Sequence, residues 1–318
     1  MGGFGNPAQL SSVGFGAWEA GGGTTWGPNS STADVVEAMA AAFDAGVNWV
    51  DTAEVYGGGG GSEEVTGMAL ARHRDVKVCT KVAPEDESHF TERGMRAALQ
   101  ESLRRLGRDA VDVYLLHWPS ETVGTLEAWE ALRKLKAEGL VGAIGLSNFP
   151  ASDVVLCAET HDLDYVQIQA SLLYQDELVE FAPLCEKFGV GLMAYGALGF
   201  GMLSGTIAAN TQLADWRGGE VMADDFFCAE NYPRWFDEQA RARHLGVLAR
   251  LREAVEGGSG FSLPQLALHW LVEQSAVTAA LVGTRNVRHA RDNAAVMHRA
   301  IDAAQLRRIS DVVLSTGA

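Results

Sequence analysis

The reading of this chain turns on "NWVDTAEVYG", residues 48–57. The stretch begins apolar, meets an acid at Asp51 and presents a phenol at Tyr56. An apolar run that turns polar at one end reads as the tip of a buried strand opening into a loop. The question is whether the rest of the chain repeats that plan.

It does. Short apolar runs recur as "SVGFG" (12–16), "VNWVD" (47–51), "VKVCTK" (76–81), "VDVYLLH" (111–117), "VGAIGLS" (141–147), "YVQIQ" (165–169), "VGLMAY" (190–195) and "AALVG" (279–283). Most are continuously apolar, as parallel strands covered on both faces must be. Helical patterns separate them. In 32–45, Val35, Met39, Ala42 and Phe43 share a face, with Ser31 and Asp34 fitting a capping box and Gly46 closing the helix. Further stripes run through 91–106, ending at Gly107, and through 125–138, ending at Gly139. Ser62 is placed as the cap of a fourth helix, with Glu63 and Glu64 in its first turn.

Eight strands with helical crossovers predict a (β/α)8 TIM barrel, taken as one domain over 1–318. The competing doubly wound sheet usually shows GxGxxG after its first strand. "VGFGAW" lacks both that spacing and an immediate helix. Two segments exceed the repeat: a long region at 199–236 with a helix at about 238–256, and a final helix at about 303–315. The long region follows the seventh strand, so it is expected to lie over the C-terminal mouth of the barrel.

Composition narrows the function classes. The chain has 318 residues and a formal charge of −16, which disfavours nucleic acid and anionic lipid as partners. Its cysteines, Cys79, Cys157, Cys185 and Cys228, form no CxxC pair and read as reduced thiols. No apolar run approaches membrane-spanning length, and "MGGFGNPAQL" lacks the basic and apolar regions of a signal peptide. The expectation is a cytoplasmic protein, monomeric or a small homo-oligomer.

In such barrels the active site gathers at the C-terminal ends of the strands. Those ends carry Asp51 with Tyr56, Lys81, His117, Ser147 with Asn148, Gln167 with Gln169, Tyr195, and Gly283 with Thr284 and Arg285. Asp51, Tyr56, Lys81 and His117 form a chemically coherent set. A tyrosine with a pKa of about 10 is a reluctant donor at neutral pH, and a nearby ammonium lowers that value. Asp51 supplies the counter-charge for Lys81, and His117 can hydrogen-bond a reacting oxygen. Together they polarise and protonate a carbonyl oxygen. Reducing equivalents would have to come from a cofactor. Clustered metal ligands at strand ends are wanting, since His117 is the one histidine there, so no metal is expected.

With these residues in view, the chain resembles the aldo-keto reductase family. The matching text is "DTAEVYGGGGGSEE", "CTKV", "VDVYLLHWP", "GLVGAIGLSNF", "VQIQASLL", "LMAYGALGFGMLSG", "LPQLALHWL" and "GTRNVRHARDNAA", in family order from residue 13 to about 296. The resemblance implies NADP(H) bound in extended form and reversible reduction of an aldehyde or ketone. It implies Tyr56 as proton donor, Lys81 as the group lowering its pKa, Asp51 as the partner of Lys81, and His117 as a carbonyl contact. It further implies Ser147, Asn148 and Gln167 at the nicotinamide carboxamide and Tyr195 stacked on its ring. Trp18 joins the cofactor contacts, Gly196, Leu198 and Gly201 line the pyrophosphate, and Gly283, Thr284, Arg285, His289, Asp292 and Asn293 meet the adenosine phosphate. Cations at Arg285, Arg288 and His289 on an acidic protein suit a 2′-phosphate.

There are departures. Many relatives carry Gln at the position of His289, Glu at that of Asp292 and Glu at that of Gln169. The chain before "SVGFG" is short, where relatives usually place a hairpin across the barrel bottom. Trp18, Trp26, Trp118, Phe149, Trp216, Phe226, Phe227, Tyr232 and Trp235 are expected around the mouth, with Trp26 and Trp118 as substrate contacts for an aromatic or medium-sized carbonyl compound. The alternative is a regulatory module that binds NADPH with little turnover, since the family includes potassium-channel β-subunits. Glu54 is read as a loop residue without a partner.

Overall fold

The computed structural model describes residues 5–26, 31–219, 226–255 and 260–316. Eight strands form a closed barrel in chain order: β1 Val13–Gly16, β2 Trp49–Asp51, β3 Lys77–Val82, β4 Val111–Leu116, β5 Val141–Ser147, β6 Tyr165–Gln169, β7 Gly191–Tyr195 and β8 Val277–Val282. Neighbours pair in parallel and β1 closes on β8, with Val13 opposite Ala280. The register sets polar strand ends side by side. Asp51 stands opposite Cys79, Lys81 opposite Leu115, Ser147 opposite Gln167 and Gln169 opposite Tyr195.

Two apolar layers follow from the alternation of side chains along each strand. The barrel interior is filled by Trp49, Cys79, Val113, Leu115, Ala143, Tyr165, Met193, Ala279 and Leu281, together with Leu10. Trp49 fits because Gly14 has no side chain: a Cβ there would collide with the indole. The larger layer lies between strands and helices. The helix Glu92–Leu106 shows why: Met95, Ala98, Leu99, Ser102, Leu103 and Leu106 are buried along one stripe. Thr91 caps it by accepting from the Gly94 N–H, and Gly107 closes it at φ +63°.

Among the described residues, the segment 5–12 before β1 closes the barrel bottom without a hairpin. Asn6 Oδ1 accepts from the Tyr165 hydroxyl (2.9 Å), which in turn accepts from the Ala8 N–H (3.1 Å). Leu10 and Ala8 pack on the interior layer.

Two predicted caps are corrected. Ser31 precedes the helix Thr32–Asp44 but makes no side-chain capping bond. Ser62 lies inside the helix Gly61–Leu70, fully buried, where its hydroxyl donates to the Ala17 carbonyl (2.6 Å) and meets Thr52 Oγ1 (2.9 Å). The tertiary tie to the β1 loop takes the hydroxyl that sequence spacing assigned to a helix end. Gly60, at φ +99°, precedes that helix instead.

Candidate active site

Three successive strands bring the central group together. Asp51 ends β2, Lys81 lies near the end of β3, and His117 follows β4 with its N–H donating to the Val82 carbonyl (2.9 Å). Tyr56 reaches the same point from the loop after β2. The Lys81 ammonium is fully buried, and all three of its protons have a destination: Asp51 Oδ1 (2.6 Å), the Thr52 carbonyl (2.8 Å) and the Tyr56 hydroxyl (3.3 Å). The Tyr56 hydroxyl also meets His117 Nε2 at 3.3 Å. A continuous hydrogen-bonded chain therefore runs Asp51–Lys81–Tyr56–His117. Asp51 has a further partner, Gln167 Nε2, which donates to Oδ2 (2.8 Å).

Burial and charge compete at each group. Burial raises the Tyr56 pKa, and the neighbouring Lys81 only partly offsets it, so the net direction is upward from 10.0. Lys81 lowers the phenol's pKa in the expected direction, but the cost of burying a phenolate exceeds that gain. Burial opposes charge on Lys81 as well, but Asp51, followed by Tyr56 and Cys79, together outweigh it and hold the ammonium protonated. Burial, then Lys81, pushes His117 well below the ordinary histidine value, so its imidazole is neutral. The site thus holds a neutral phenol, a fixed ammonium and a neutral imidazole around one point.

The polar rim follows on β5 to β7. Asn148 adopts φ +59°, and its amide donates to the His117 carbonyl (3.0 Å) and to Ser147 Oγ (3.1 Å). Asn148 Oδ1 accepts from the Tyr195 hydroxyl (2.8 Å). Gln167 sits level with Ser147, its amide nitrogen turned to Asp51. Trp18 packs on this group, 6.3 Å from the Tyr56 ring.

Two loops extend from the rim. After β7, Gly196, Gly199 and Gly201 all have positive φ, and a Cβ on Gly196 would sit 3.3 Å from the Phe200 ring. Leu198 N-caps the 3-10 turn Gly199–Ser204. After β8, Gly283 and Thr284 lead to Arg285 and to the helix Val287–Ala294, whose first turn Asn286 caps through the N–H groups of Arg288 and His289. Arg288, His289 and Asp292 are exposed, while Asn293 is buried. Arg285 Nη1, Gln169 Nε2 and His117 Nδ1 are buried without a hydrogen-bond partner among the described residues. A side-chain-free backbone cradle beside unpartnered donors suits an anionic, amide-bearing ligand such as a nicotinamide dinucleotide.

Aromatic side chains crowd the mouth. Trp118 lies 4.6 Å from the His117 ring and 5.7 Å from Phe226. Phe227 contacts Trp18 (5.2 Å) and Tyr195 (6.3 Å). Trp26 differs from its expected place on the open rim: it is buried behind Trp18 (4.9 Å) and Trp216 (6.2 Å), under the Arg217 guanidinium (5.0 Å). Trp216 and Trp235 are likewise buried, anchoring the long region through Phe200. Residues 220–225 of the 199–236 region lie outside the described residues.

Several residues around the site carry no local sequence signal. Glu54 is buried, and its Oε1 accepts from the Ala83 N–H (2.7 Å) and meets His89 Nδ1 (3.1 Å), which corrects its reading as an unpartnered loop residue. Glu63 accepts from Thr80 Oγ1 (2.6 Å) and Arg105 Nε (2.7 Å), bracing the strand that carries Lys81. Arg217 and Glu19 lie beside the two loops.

The sequence model of the Aldo/keto reductase family matches residues 12–313. Among curated relatives, an Escherichia coli NADH-specific methylglyoxal reductase is 28% identical over 309 residues, covering 91% of this chain and 90% of its own. Among solved structures, the glycerol dehydrogenase of Gluconobacter oxydans is 29% identical with a TM-score of 0.79, covering 96% of this chain and 92% of its own. A Klebsiella pneumoniae aldo/keto reductase in complex with NADP and acetate is 26% identical with a TM-score of 0.68, covering 95% and 91%.

Proposed function

The chain belongs to the aldo/keto reductase family, and from that premise we propose that it reduces an aldehyde or ketone to an alcohol with NADPH, using Tyr56 as the proton donor. The observation that carries this reading is the hydrogen-bonded chain Asp51–Lys81–Tyr56–His117 at the barrel mouth.

When bound, a nicotinamide cofactor would supply the hydride. The residues of the chain supply the proton and the electrostatics. His117, neutral and facing the Tyr56 hydroxyl, positions the carbonyl oxygen by hydrogen bonding. As negative charge develops on that oxygen, Tyr56 gives up its proton, and the phenolate left behind stays bonded to the Lys81 ammonium. Asp51 keeps Lys81 charged and aimed, and Gln167 braces the far oxygen of Asp51. Hydride to carbon and proton to oxygen complete the alcohol; the reverse reaction returns the proton to Tyr56.

For the cofactor, Ser147, Asn148 and Gln167 offer donors and acceptors to a carboxamide, and Trp18 and Tyr195 offer ring faces. Gly196, Leu198 and Gly201 would line the pyrophosphate path, and Gly283, Thr284, Arg285, His289, Asp292 and Asn293 the adenosine end. The unpartnered Arg285 Nη1 supports a preference for the 2′-phosphate of NADPH, although the Escherichia coli relative is named NADH-specific. Trp118, beside His117, is the aromatic contact we assign to a carbonyl substrate with an apolar or aromatic body.

The test is oxidation of NADPH in the presence of 4-nitrobenzaldehyde and a panel of other carbonyl compounds. Wild type should turn over, and Tyr56→Phe should lose about 10²–10⁴-fold in rate while still binding NADPH. Wild-type-like turnover by that variant would exclude Tyr56 as the donor. Tight dinucleotide binding with no turnover on any carbonyl compound would mark a binding module instead.

A further inference from the structure

The loop between β2 and Tyr56 is fastened to β3 by one side chain that the carbonyl chemistry does not use. Past the end of β2 the backbone keeps pairing with β3. The Thr52 N–H donates to the Cys79 carbonyl (2.9 Å), and the Glu54 N–H donates to the Lys81 carbonyl (3.2 Å). If the parallel ladder continued, the next bond would run from the Ala83 N–H to the backbone carbonyl of residue 54. The Ala83 N–H donates instead to the Glu54 side chain, at Oε1 (2.7 Å). The backbone at residue 54 is thereby free to turn. The Tyr56 N–H donates back to the Ala53 carbonyl (3.2 Å), and the Tyr56 hydroxyl arrives 3.3 Å from the Lys81 ammonium.

Glu54 therefore holds β3 at two points, the Lys81 carbonyl and the Ala83 N–H, along the stretch that carries the ammonium. Its carboxylate is buried, and His89 Nδ1 meets the same Oε1 at 3.1 Å. His89 belongs to the 3-10 turn Glu87–Phe90, which Asp86 caps and the buried Phe90 anchors. A buried carboxylate is costly unless it is hydrogen-bonded. Both bonds thus oppose any shift of the loop away from β3.

We propose that Glu54 is the positioning residue of the proton donor: by taking the Ala83 N–H, its carboxylate sets where the Tyr56 hydroxyl stands relative to the Lys81 ammonium. The inference rests on reading Tyr56 as the donor. Glu54 acts through the loop and not on the reacting atoms. Its physical basis is that a displacement of about 1 Å from the reacting geometry costs about 10²-fold in rate. What the clip needs is an acceptor at the place of Oε1, with or without a charge. Glutamine supplies that acceptor. Aspartate keeps the charge but is one methylene too short to reach Ala83 without moving the loop.

The experiment compares wild type with Glu54→Gln, Glu54→Asp and Glu54→Ala. It measures the single-turnover rate of 4-nitrobenzaldehyde reduction by the preformed NADPH complex, in H2O and in D2O. Quenching of tryptophan fluorescence gives the Kd of NADPH for each variant. Glu54→Ala and Glu54→Asp should slow the turnover about 10–10²-fold, with the Kd of NADPH unchanged. Their solvent isotope effect should exceed that of wild type, because the proton leaves a misplaced phenol. Glu54→Gln should restore the rate to at least about tenfold above Glu54→Ala, with the isotope effect of wild type. Glu54→Asp carries the test if Glu54→Ala folds poorly. A wild-type rate in a folded Glu54→Ala or Glu54→Asp, or a Glu54→Gln as slow as Glu54→Ala, overturns the assignment and leaves Tyr56 as the donor. A rate loss matched by an equal loss of NADPH affinity also overturns it, as damage to the whole mouth. A wild type that reduces no carbonyl compound, or a Tyr56→Phe variant that turns over normally, overturns the donor reading and this assignment with it.

Discussion

Tyr56 shows how a single residue's chemistry depends on two opposing terms. Its hydroxyl is 3.3 Å from an ammonium, an arrangement that by itself favours the phenolate. Burial reverses the balance, and the phenol stays protonated above its ordinary value. His117 shifts the opposite way, held neutral well below 6.5 by burial and by Lys81. The signs fix the pH behaviour of the proposed reaction. A donor with a raised pKa remains protonated until the pH passes that raised value, and a histidine with a depressed pKa remains neutral until the pH falls far below its usual range. Carbonyl reduction at saturating NADPH should therefore be flat between about pH 6.5 and about pH 10, the ordinary values of the two groups. Initial rates across that range check it; a limb near neutrality that persists in a pH-corrected mutant of His117 would assign the titration to another residue. Asp51, Tyr56, Lys81 and His117 were legible as a set because they stand at the ends of three successive apolar runs, whereas the net direction of the Tyr56 shift was not, because burial is set by the assembled barrel.

At the level of elements, the site depends on close backbone approach. The loop carrying Tyr56 continues into a run of glycines with positive φ, and Gly57, at φ +75°, faces Gly21 at the end of the turn that holds Trp18 and Glu19. A Cβ on Gly57 would come within 2.6 Å of the Gly21 Cα, so backbone would have to move. Gly57→Ala is expected to cost about 1–3 kcal/mol through its left-handed conformation and to lower kcat by displacing the adjoining Tyr56. Chemical denaturation and steady-state kinetics on the same preparation test both; unchanged kcat would mean that the two turns separate without disturbing the phenol. The strands and the helices 32–44, 92–106 and 125–137 were readable from periodicity and glycine stops. The cap at Ser31 makes no side-chain bond, and that at Ser62 was misread because its hydroxyl bonds the Ala17 carbonyl that the tertiary structure brings near.

Across the whole molecule, buried polar links tie distant segments to the barrel. Glu63, fully buried, joins Thr80 of β3 to Arg105 of the helix Glu92–Leu106. Removing the cation leaves a buried carboxylate without its counter-charge, so Arg105→Met should destabilise the fold by about 3–5 kcal/mol. A shift of the urea midpoint measures this, and a change below about 1 kcal/mol, the range of surface pairs, would show that water reaches Glu63. The acid pair of the opening stretch now has separate partners: Asp51 meets Lys81 and Gln167, while Glu54 meets Ala83 and His89. By itself the sequence determined the number and order of strands and pointed to Asp51, Tyr56, Lys81 and His117, which the structure brings together. Those features are local, since apolar periodicity and polar strand ends are written within a few consecutive residues. Only the tertiary structure decided that Gln167 braces Asp51, that Trp26 is buried, that Asn6 and Tyr165 close the bottom, and that Glu63 joins Thr80 to Arg105. Those pairs are far apart along the chain, and barrel closure and strand register alone bring them together.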